Sequence, residues 1–183
     1  MEYMNVVVFR VAVTLFLGTG GEKGMKDARS VVGLVVALAI CFAVAGVGSV
    51  FTARSVPTWY AELAKPSWTP PGWLFGPVWT VLYVMMAVAA WLVWRQAGTA
   101  EVGLALALFA VQLALNGLWS PVFFGLRNPG LGFGVIVLLW LAIVGTMATF
   151  WRVKPAAAWL LAPYLAWVTY ASALNFAVWR MNA

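Results

Sequence analysis

The sequence has little charge, no histidine and a single cysteine. Only 9% of its 183 residues are charged, 11 of them basic and 5 acidic, whereas soluble domains carry about 25%. Histidine is the usual general base and the commonest metal ligand, so its absence argues against both roles and we expect no metal site. Cys41, the single cysteine, cannot form an intrachain disulfide.

Apolar residues, by contrast, make up 64% of the chain. They include five runs without a charged residue, each 24 to 29 residues long, and a helix needs about 20 apolar residues to cross a bilayer. The sequence therefore predicts an all-α, multi-pass integral membrane bundle of five transmembrane helices. The predicted helices, called spans 1 to 5, are residues 30–52, 73–95, 101–124, 130–151 and 156–180.

Residues 30–183 are interpreted as the five-helix domain, and residues 1–29 as an N-terminal leader or extension. The apolar stretch of this leader is too short to cross a bilayer and contains Arg10. It fits a signal-like segment, an interfacial helix or, as we prefer, a start assigned upstream of Met25.

The net charge of +6 comes from basic residues scattered singly at the ends of the apolar runs. Such residues are typical of membrane-interface anchors, and without a basic cluster we expect no nucleic-acid partner. Six basic residues on the amino-terminal side of the bundle, against four on the other, favour a cytoplasmic amino terminus.

The segment 53–72, between spans 1 and 2, is the longest predicted loop. Pro66, Pro70 and Pro71 disfavour helix there, and aromatic rings in and directly after the segment prefer the membrane interface. Two interpretations remain open, an aromatic belt stiffened by proline or a lid over a cavity among the helices. The residues concerned are Pro66, Pro70, Pro71, Trp59, Tyr60, Trp68 and Trp73.

Polar residues in span 3 share one helical face, because Gln112, Asn116 and Trp119 follow at spacings of four and three. Amides in hydrocarbon need partners, so this face is predicted to point into the bundle. It serves either helix-to-helix hydrogen bonding or the lining of a ligand cavity. The small residues Gly103, Ala107, Ala110 and Ala114 of the same span allow close approach, within the chain or at a homodimer seam.

Span 5 carries a related stripe, in which Trp167, Ala171 and Asn175 recur at spacing four. A large ring, a small side chain and an amide in line predict a notch beside an aromatic wall. In span 2, Trp79 and Tyr83 have the same spacing. Ordinary helix packing is the alternative explanation for each ring.

Catalytic patterns are poorly represented. The acidic residues Glu62 and Glu101 are far apart in sequence, and the chain shows no nucleophile-base dyad, phosphate loop or metal-ligand cluster. Apart from Cys41, tyrosines and the terminal residues Arg95, Glu101 and Arg180, the predicted spans contain no ionisable residue, which disfavours a proton-driven carrier.

Three stretches resemble one family, the TspO/MBR family of tryptophan-rich sensory proteins and translocator proteins. The resemblance covers residues 30–182, and the leader, poor in arginine and serine, favours a bacterial member over one with an organelle transit peptide. The stretches are "WYAELAKPSWTPPGWLFGPVWTVLY" (59–83), "QLALNGLWSPVFFG" (112–125) and "PYLAWVTYASALNFAVWR" (163–180).

The resemblance implies a five-helix bundle, commonly dimeric, with a pocket closed by the first loop. Such pockets bind tetrapyrroles such as protoporphyrin IX and, in some members, sterols or aromatic drug-like compounds, and no cofactor is required. Trp79 and Trp167 match tryptophans associated with porphyrin binding and light-dependent breakdown, which makes them candidate catalytic residues. Ala171 matches a small position at which larger residues alter binding. The other predicted ligand-binding residues are Trp68, Tyr83, Gln112, Asn116, Trp119 and Asn175.

The chemistry of a porphyrin fits these residues. A flat macrocycle stacks on indole faces, and its two carboxylates need cations near the interface, for which Arg54 and Lys65 are the candidates. Without histidine to bind haem iron, a metal-free porphyrin is expected. The sterol-recognition pattern at the end of span 5 requires a tyrosine where this chain has Phe176, which weakens a sterol prediction.

Three functions follow as hypotheses. The preferred one is a membrane receptor or transport-type protein that binds porphyrins and takes part in tetrapyrrole regulation or stress sensing. The second is enzymatic, a light- and oxygen-dependent degradation of the bound porphyrin. The third is a structural membrane scaffold whose aromatic faces only pack helices.

Overall fold

The computed structural model describes residues 23–183, and the interpretation of the residues before Lys23 lies outside this part of the chain. Five helical segments in it are long and apolar enough to cross a membrane, and the described residues contain no named β-strand. The predicted all-α membrane bundle is therefore confirmed. The five spans are Ala28–Ser55, Gly72–Trp94, Glu101–Gly125, Pro129–Val153 and Pro155–Met181.

Each span is built from one or two helical elements. Span 1 belongs to a helix that begins at Lys23, earlier than the predicted residue 30. The helices are Lys23–Ser55, the short Trp59–Glu62, Phe75–Trp94 after the 3₁₀ turn Gly72–Leu74, Glu101–Ser120 with the π-helical turn Pro121–Gly125, Pro129–Val153, Pro155–Leu160 and Ala162–Met181.

Prolines and a polar cap explain the ends and irregularities of spans 3 to 5. Pro121 begins the π-helical turn, where the Leu126 N–H donates to the Pro121 carbonyl at 2.9 Å. The Asn128 side chain then caps span 4 by accepting from the Leu131 N–H at 2.9 Å. Span 5 is interrupted at Leu161, just before a proline that cannot donate to the preceding turn.

The five spans form a closed ring. Span 1 packs against spans 2 and 3, span 3 packs against span 4, span 4 packs against span 5, and the first turns of span 5 return to span 2. Span 3 also contacts span 2 directly. The side chains that point into this ring meet at the junction of spans 2, 3 and 5.

The outer surface of the ring is apolar. Val31, Leu104 and Trp159 are each more than 60% exposed. In water, an apolar surface of this kind would promote aggregation. In a bilayer the same side chains contact lipid tails at no cost, which agrees with a multi-pass integral membrane protein.

The predicted loop 53–72 is partly helical. Span 1 continues to Ser55, and the residues Trp59–Glu62 form one helical turn ahead of Pro66. Residues 63–71 then run without regular structure to the 3₁₀ turn that opens span 2. Pro57 lies in the break between the two helices, and Pro66, Pro70 and Pro71 lie in the part without regular structure.

Candidate functional site

A chain of hydrogen bonds joins spans 2, 3 and 5 at the centre of the ring. The Tyr83 hydroxyl donates to Asn116 Oδ1, and Asn116 Nδ2 donates to the Tyr164 hydroxyl oxygen at 2.9 Å. The Tyr164 hydroxyl in turn donates to Gln112 Oε1 at 3.0 Å. All four side chains are buried. The amides of span 3 thus point into the bundle, as the helical spacing predicted.

Two buried N–H groups beside this network have no hydrogen-bond partner. They are Gln112 Nε2 and Trp167 Nε1. Among the described residues, these two are the buried side-chain polar atoms without a hydrogen-bond partner. Gln112 contacts Tyr164, and Trp167 lies one helical turn beyond Tyr164 on span 5. An unpaired donor in a low-dielectric interior costs free energy, so an acceptor brought to this place would be held.

Aromatic rings surround the network. The Trp79 ring lies 5.6 Å from the Tyr83 ring and 6.2 Å from the Tyr164 ring, and the Trp167 ring lies 5.7 Å from the Phe75 ring, between centroids. Rings at these separations and tilts attract one another beyond their simple area of contact. The structure therefore places Trp79 beside Tyr83 and Tyr164, and Trp167 beside Phe75 at the start of the span 2 helix.

The predicted residues Trp119 and Asn175 form a second group. The Trp119 Nε1–H donates to Asn175 Oδ1 at 3.0 Å, and Asn175 Nδ2 donates to the Pro129 carbonyl at 2.7 Å. The Trp119 ring stacks on Phe123 with centroids 5.0 Å apart. These polar atoms join spans 3, 4 and 5 to one another. Half-buried Ala171 lies between the two groups, one turn from Trp167 and one from Asn175.

Trp68 reaches the site from the loop. Its carbonyl accepts a hydrogen bond from the Tyr170 hydroxyl at 2.8 Å, and the two rings are 5.7 Å apart. The Tyr170 ring lies 5.8 Å from the Trp167 ring. Trp68 is 47% exposed, so it covers the wall of rings rather than belonging to its core.

The two cations proposed for ligand carboxylates lie in different surroundings. Lys65 Nζ donates to the carbonyls of Tyr60, Ala61 and Leu63 at 2.7, 3.2 and 2.8 Å, and it sits 4.8 Å above the Tyr60 ring. Lys65 therefore caps the short helix, and a ligand carboxylate would compete with these bonds. Arg54 is exposed in the last turn of the span 1 helix.

The phenol of Tyr60 completes this cap. Burial raises its pKa, and the nearby phenol of Tyr170 raises it further. Tyr60 is therefore neutral at physiological pH, and its interaction with Lys65 is a cation–π contact rather than an ion pair.

Two residues of the site were missed by sequence reasoning, Tyr164 and Phe75. Tyr164 is fully buried and connects Asn116 to Gln112. A signal was present, because Phe75 precedes Trp79 by four residues and Tyr164 precedes Trp167 by three. Both therefore continue stripes that had already been identified.

The fold and this site define a class, that of multi-pass integral membrane proteins whose helices enclose an aromatic site, and the family and relatives described next support a receptor-type role. Comparison with known sequences gives the family. Residues 37–180 match the model of the TspO/MBR family, and the chain belongs to that family.

Relatives come from bacteria and animals. A tryptophan-rich protein TspO of Chlorobaculum tepidum is 45% identical over 158 residues, which are 84% of this chain and 98% of the relative. The protein CrtK of Rhodobacter capsulatus is 45% identical over 78% of this chain and 88% of its own length. The human translocator protein is 44% identical over 74% of this chain and 82% of its own length.

Proposed function

We propose that this protein binds a porphyrin, represented by metal-free protoporphyrin IX, among spans 2, 3 and 5, and takes part in tetrapyrrole regulation or stress sensing. Aromatic drug-like compounds are further candidate ligands of the same apolar character, and sterols are weaker candidates because Phe176 stands where the sterol pattern requires tyrosine. The proposal extends the receptor-type class of the chain to a ligand class. Proton-driven transport has no support in the described spans, because their charged residues, Arg29, Arg54, Glu101, Arg152 and Arg180, all lie within two residues of a span end.

The observation that carries the proposal is the pairing of aromatic rings with unpaired donors. Trp79 and Trp167 offer indole faces, and a planar macrocycle gains free energy by stacking on them. Gln112 Nε2 and Trp167 Nε1 are buried without acceptors, and a porphyrin carries acceptors in its imine nitrogens and carboxylates. Most buried polar groups in proteins are paired, so two unpaired donors near one set of rings favour a ligand over helix packing alone.

The test is titration of the detergent-purified protein with protoporphyrin IX in dim light, followed by quenching of tryptophan fluorescence. We compare wild type with Trp79→Phe and Trp167→Phe. Trp151→Phe is the matched control, because Trp151 is 52% exposed on span 4 and contacts Trp159 rather than the site. We expect saturable binding, with Kd raised roughly 2- to 10-fold by each site variant, the equivalent of one ring contact.

Two outcomes would contradict the proposal. One is the absence of saturable binding in folded wild-type protein. The other is a Kd that Trp79→Phe and Trp167→Phe leave no higher than Trp151→Phe does. If both site variants lose thermal stability and binding together, the scaffold hypothesis explains the rings better.

The enzymatic hypothesis is tested by illuminating the same complexes in air. The Soret absorbance of bound protoporphyrin IX is followed, and the products are identified by mass spectrometry. A defined product that forms in wild type and in Trp151→Phe, but not in Trp79→Phe or Trp167→Phe, would assign a degradative activity to the site. Equal bleaching in all four proteins would show that the porphyrin is degraded by its own photochemistry, without the site.

We further propose that the protein forms a homodimer through span 3. Gly103, Ala107, Ala110 and Ala114 are all exposed on one face of this span, and small residues permit close packing of helices in lipid. Changing Ala107 and Ala110 together to leucine is expected to abolish cross-linked dimer in membranes. Persistence of the dimer in that variant would exclude this seam.

A further inference from the structure

The second half of the first loop runs beside span 5. The helix of span 2 begins at Phe75, whose ring meets Trp167. Span 5 continues from Trp167 to Met181, about 21 Å at 1.5 Å per residue. Along that length residues 63–71, named here the loop strip, are joined to span 5, with Ala64 bonded to Asn182 and Trp68 bonded to Tyr170.

Asn182 holds the strip by both polar atoms of its side chain. Its Oδ1 accepts from the Ala64 N–H at 3.0 Å, and its Nδ2 donates to the Ala64 carbonyl at 2.9 Å. The same Nδ2 donates to the Val178 carbonyl at 2.7 Å, which fixes the amide against its own helix. One side chain thus pairs with both backbone groups of a residue 118 positions earlier in the chain.

A second bond lies further along the strip. The Tyr170 hydroxyl donates to the Trp68 carbonyl at 2.8 Å. Between these two attachments lies Pro66, and Pro70 and Pro71 follow. Because proline fixes one backbone dihedral and stiffens the chain, the strip is expected to move as a unit once an attachment is lost.

Between its attachments at Tyr170 and Asn182, the strip runs along the part of span 5 that carries two predicted ligand residues. Ala171 directly follows Tyr170, and Asn175 is one turn beyond Ala171. Before the strip, the loop packs on the end of span 3, where the Trp59 ring lies 5.9 Å from the Phe123 ring. The loop therefore crosses from the end of span 3 to span 5 and closes this end of the ring.

We propose that Asn182 is a positioning residue whose clasp on Ala64 keeps the loop strip closed and so sets the rates at which a hydrophobic ligand enters and leaves the site. The identity of the ligand rests on the proposed function. The clasp and the closure do not, and both can be measured in the protein without a ligand.

The first measurement is backbone amide exchange over residues 61–69 in the full-length protein in detergent. Asn182→Ala removes both bonds to Ala64. Met181→Ala is the matched control, because Met181 is the neighbouring residue and is 50% exposed. Two lost bonds of ordinary strength predict about tenfold faster exchange in this segment of Asn182→Ala, with the other spans unchanged. Exchange equal to that of Met181→Ala would overturn the clasp.

The second measurement tests closure through a cysteine at position 171, next to the attachment at Tyr170. Cys41→Ser removes the single native cysteine, and Ala171→Cys introduces one in the site. We expect a water-soluble maleimide to label this cysteine about tenfold faster when Asn182→Ala is added. Tyr170→Phe, which keeps the ring and removes the bond to Trp68, is expected to have an effect in the same direction. Faster exchange without faster labelling would overturn closure.

The third measurement uses protoporphyrin IX and stopped-flow quenching. Loss of the clasp is expected to raise the association and dissociation rates by similar factors and to leave Kd within about twofold, because the clasp contacts the loop rather than the ligand. A raised Kd with an unchanged association rate would overturn the rate-setting role. If wild type binds no porphyrin, the proposed function fails, while exchange and labelling still decide the clasp.

Discussion

Replacing Asn116 by leucine tests whether the central hydrogen bonds hold the bundle together. Leucine has a similar size but cannot bond to Tyr83 or Tyr164. The Tyr83 hydroxyl then loses its acceptor, whereas the Tyr164 hydroxyl keeps Gln112 Oε1 at 3.0 Å. The substitution therefore breaks two bonds but leaves only one hydroxyl without an acceptor.

The expected loss follows from these bonds. Hydrogen bonds between membrane helices average about 0.6 kcal/mol and reach about 1.7 kcal/mol, so two lost bonds predict a loss of about 1 to 3 kcal/mol. For a chain of this size 1 kcal/mol corresponds to about 2–4 °C in Tm, and we expect Asn116→Leu to lower Tm by about 2–12 °C. Tm is read from near-UV circular dichroism in one detergent at one scan rate.

A double-mutant cycle separates the bond from general damage. Tyr83→Phe alone leaves Asn116 Oδ1 without its donor, but in the Asn116→Leu background it removes a hydroxyl that is already unpaired. Tyr83→Phe should therefore cost about 0.6–1.7 kcal/mol less in the Asn116→Leu background than in wild type. Leu118→Ala, at a lipid-facing position of the same span that is 48% exposed, is the control. Additive effects of the two changes would refute the reasoning.

Two further variants are predicted from contacts elsewhere. A Cβ on Gly33 would lie 2.3 Å from a ring atom of Trp94, so Gly33→Ala is expected to lower the free energy of unfolding by about 1–3 kcal/mol. Gly134→Ala, with open space around it on span 4, should change it by less than about 1 kcal/mol, and equal effects in thermal unfolding would contradict the contact. Trp119→Phe removes the donor to Asn175 and is expected to cost about 1 kcal/mol. In the Asn175→Leu background Trp119→Phe should cost less than in wild type. An equal cost in both backgrounds would show that the bond is unimportant.

Much of the fold could be predicted because the bilayer imposes simple requirements. Every backbone polar group at membrane depth must bond within the chain, so an apolar run of sufficient length has to be a helix. The inward position of Gln112 and Asn116 followed for a similar reason, since amides avoid lipid. Both amides are buried in the structure.

The partners of these residues could not be predicted. Helical spacing shows which residues share a face, but it does not give the rotation and depth of one helix against another. The pairing of Asn116 with Tyr164, and of Trp119 with Asn175, depends on those quantities. The role of Lys65 toward a ligand carboxylate stays a prediction, and its ammonium already donates to carbonyls of its own loop, which helical spacing does not describe.

The sequence by itself determined the membrane class, the number of spans and the helical faces that avoid lipid, because these depend on local composition and helical period. The tertiary structure decided which rings meet, which buried donors remain unpaired and that Asn182 clasps Ala64. These contacts join residues of different helices and loops, up to 118 positions apart in the chain. They exist only when the helices are packed, because packing fixes the depth and rotation of each span.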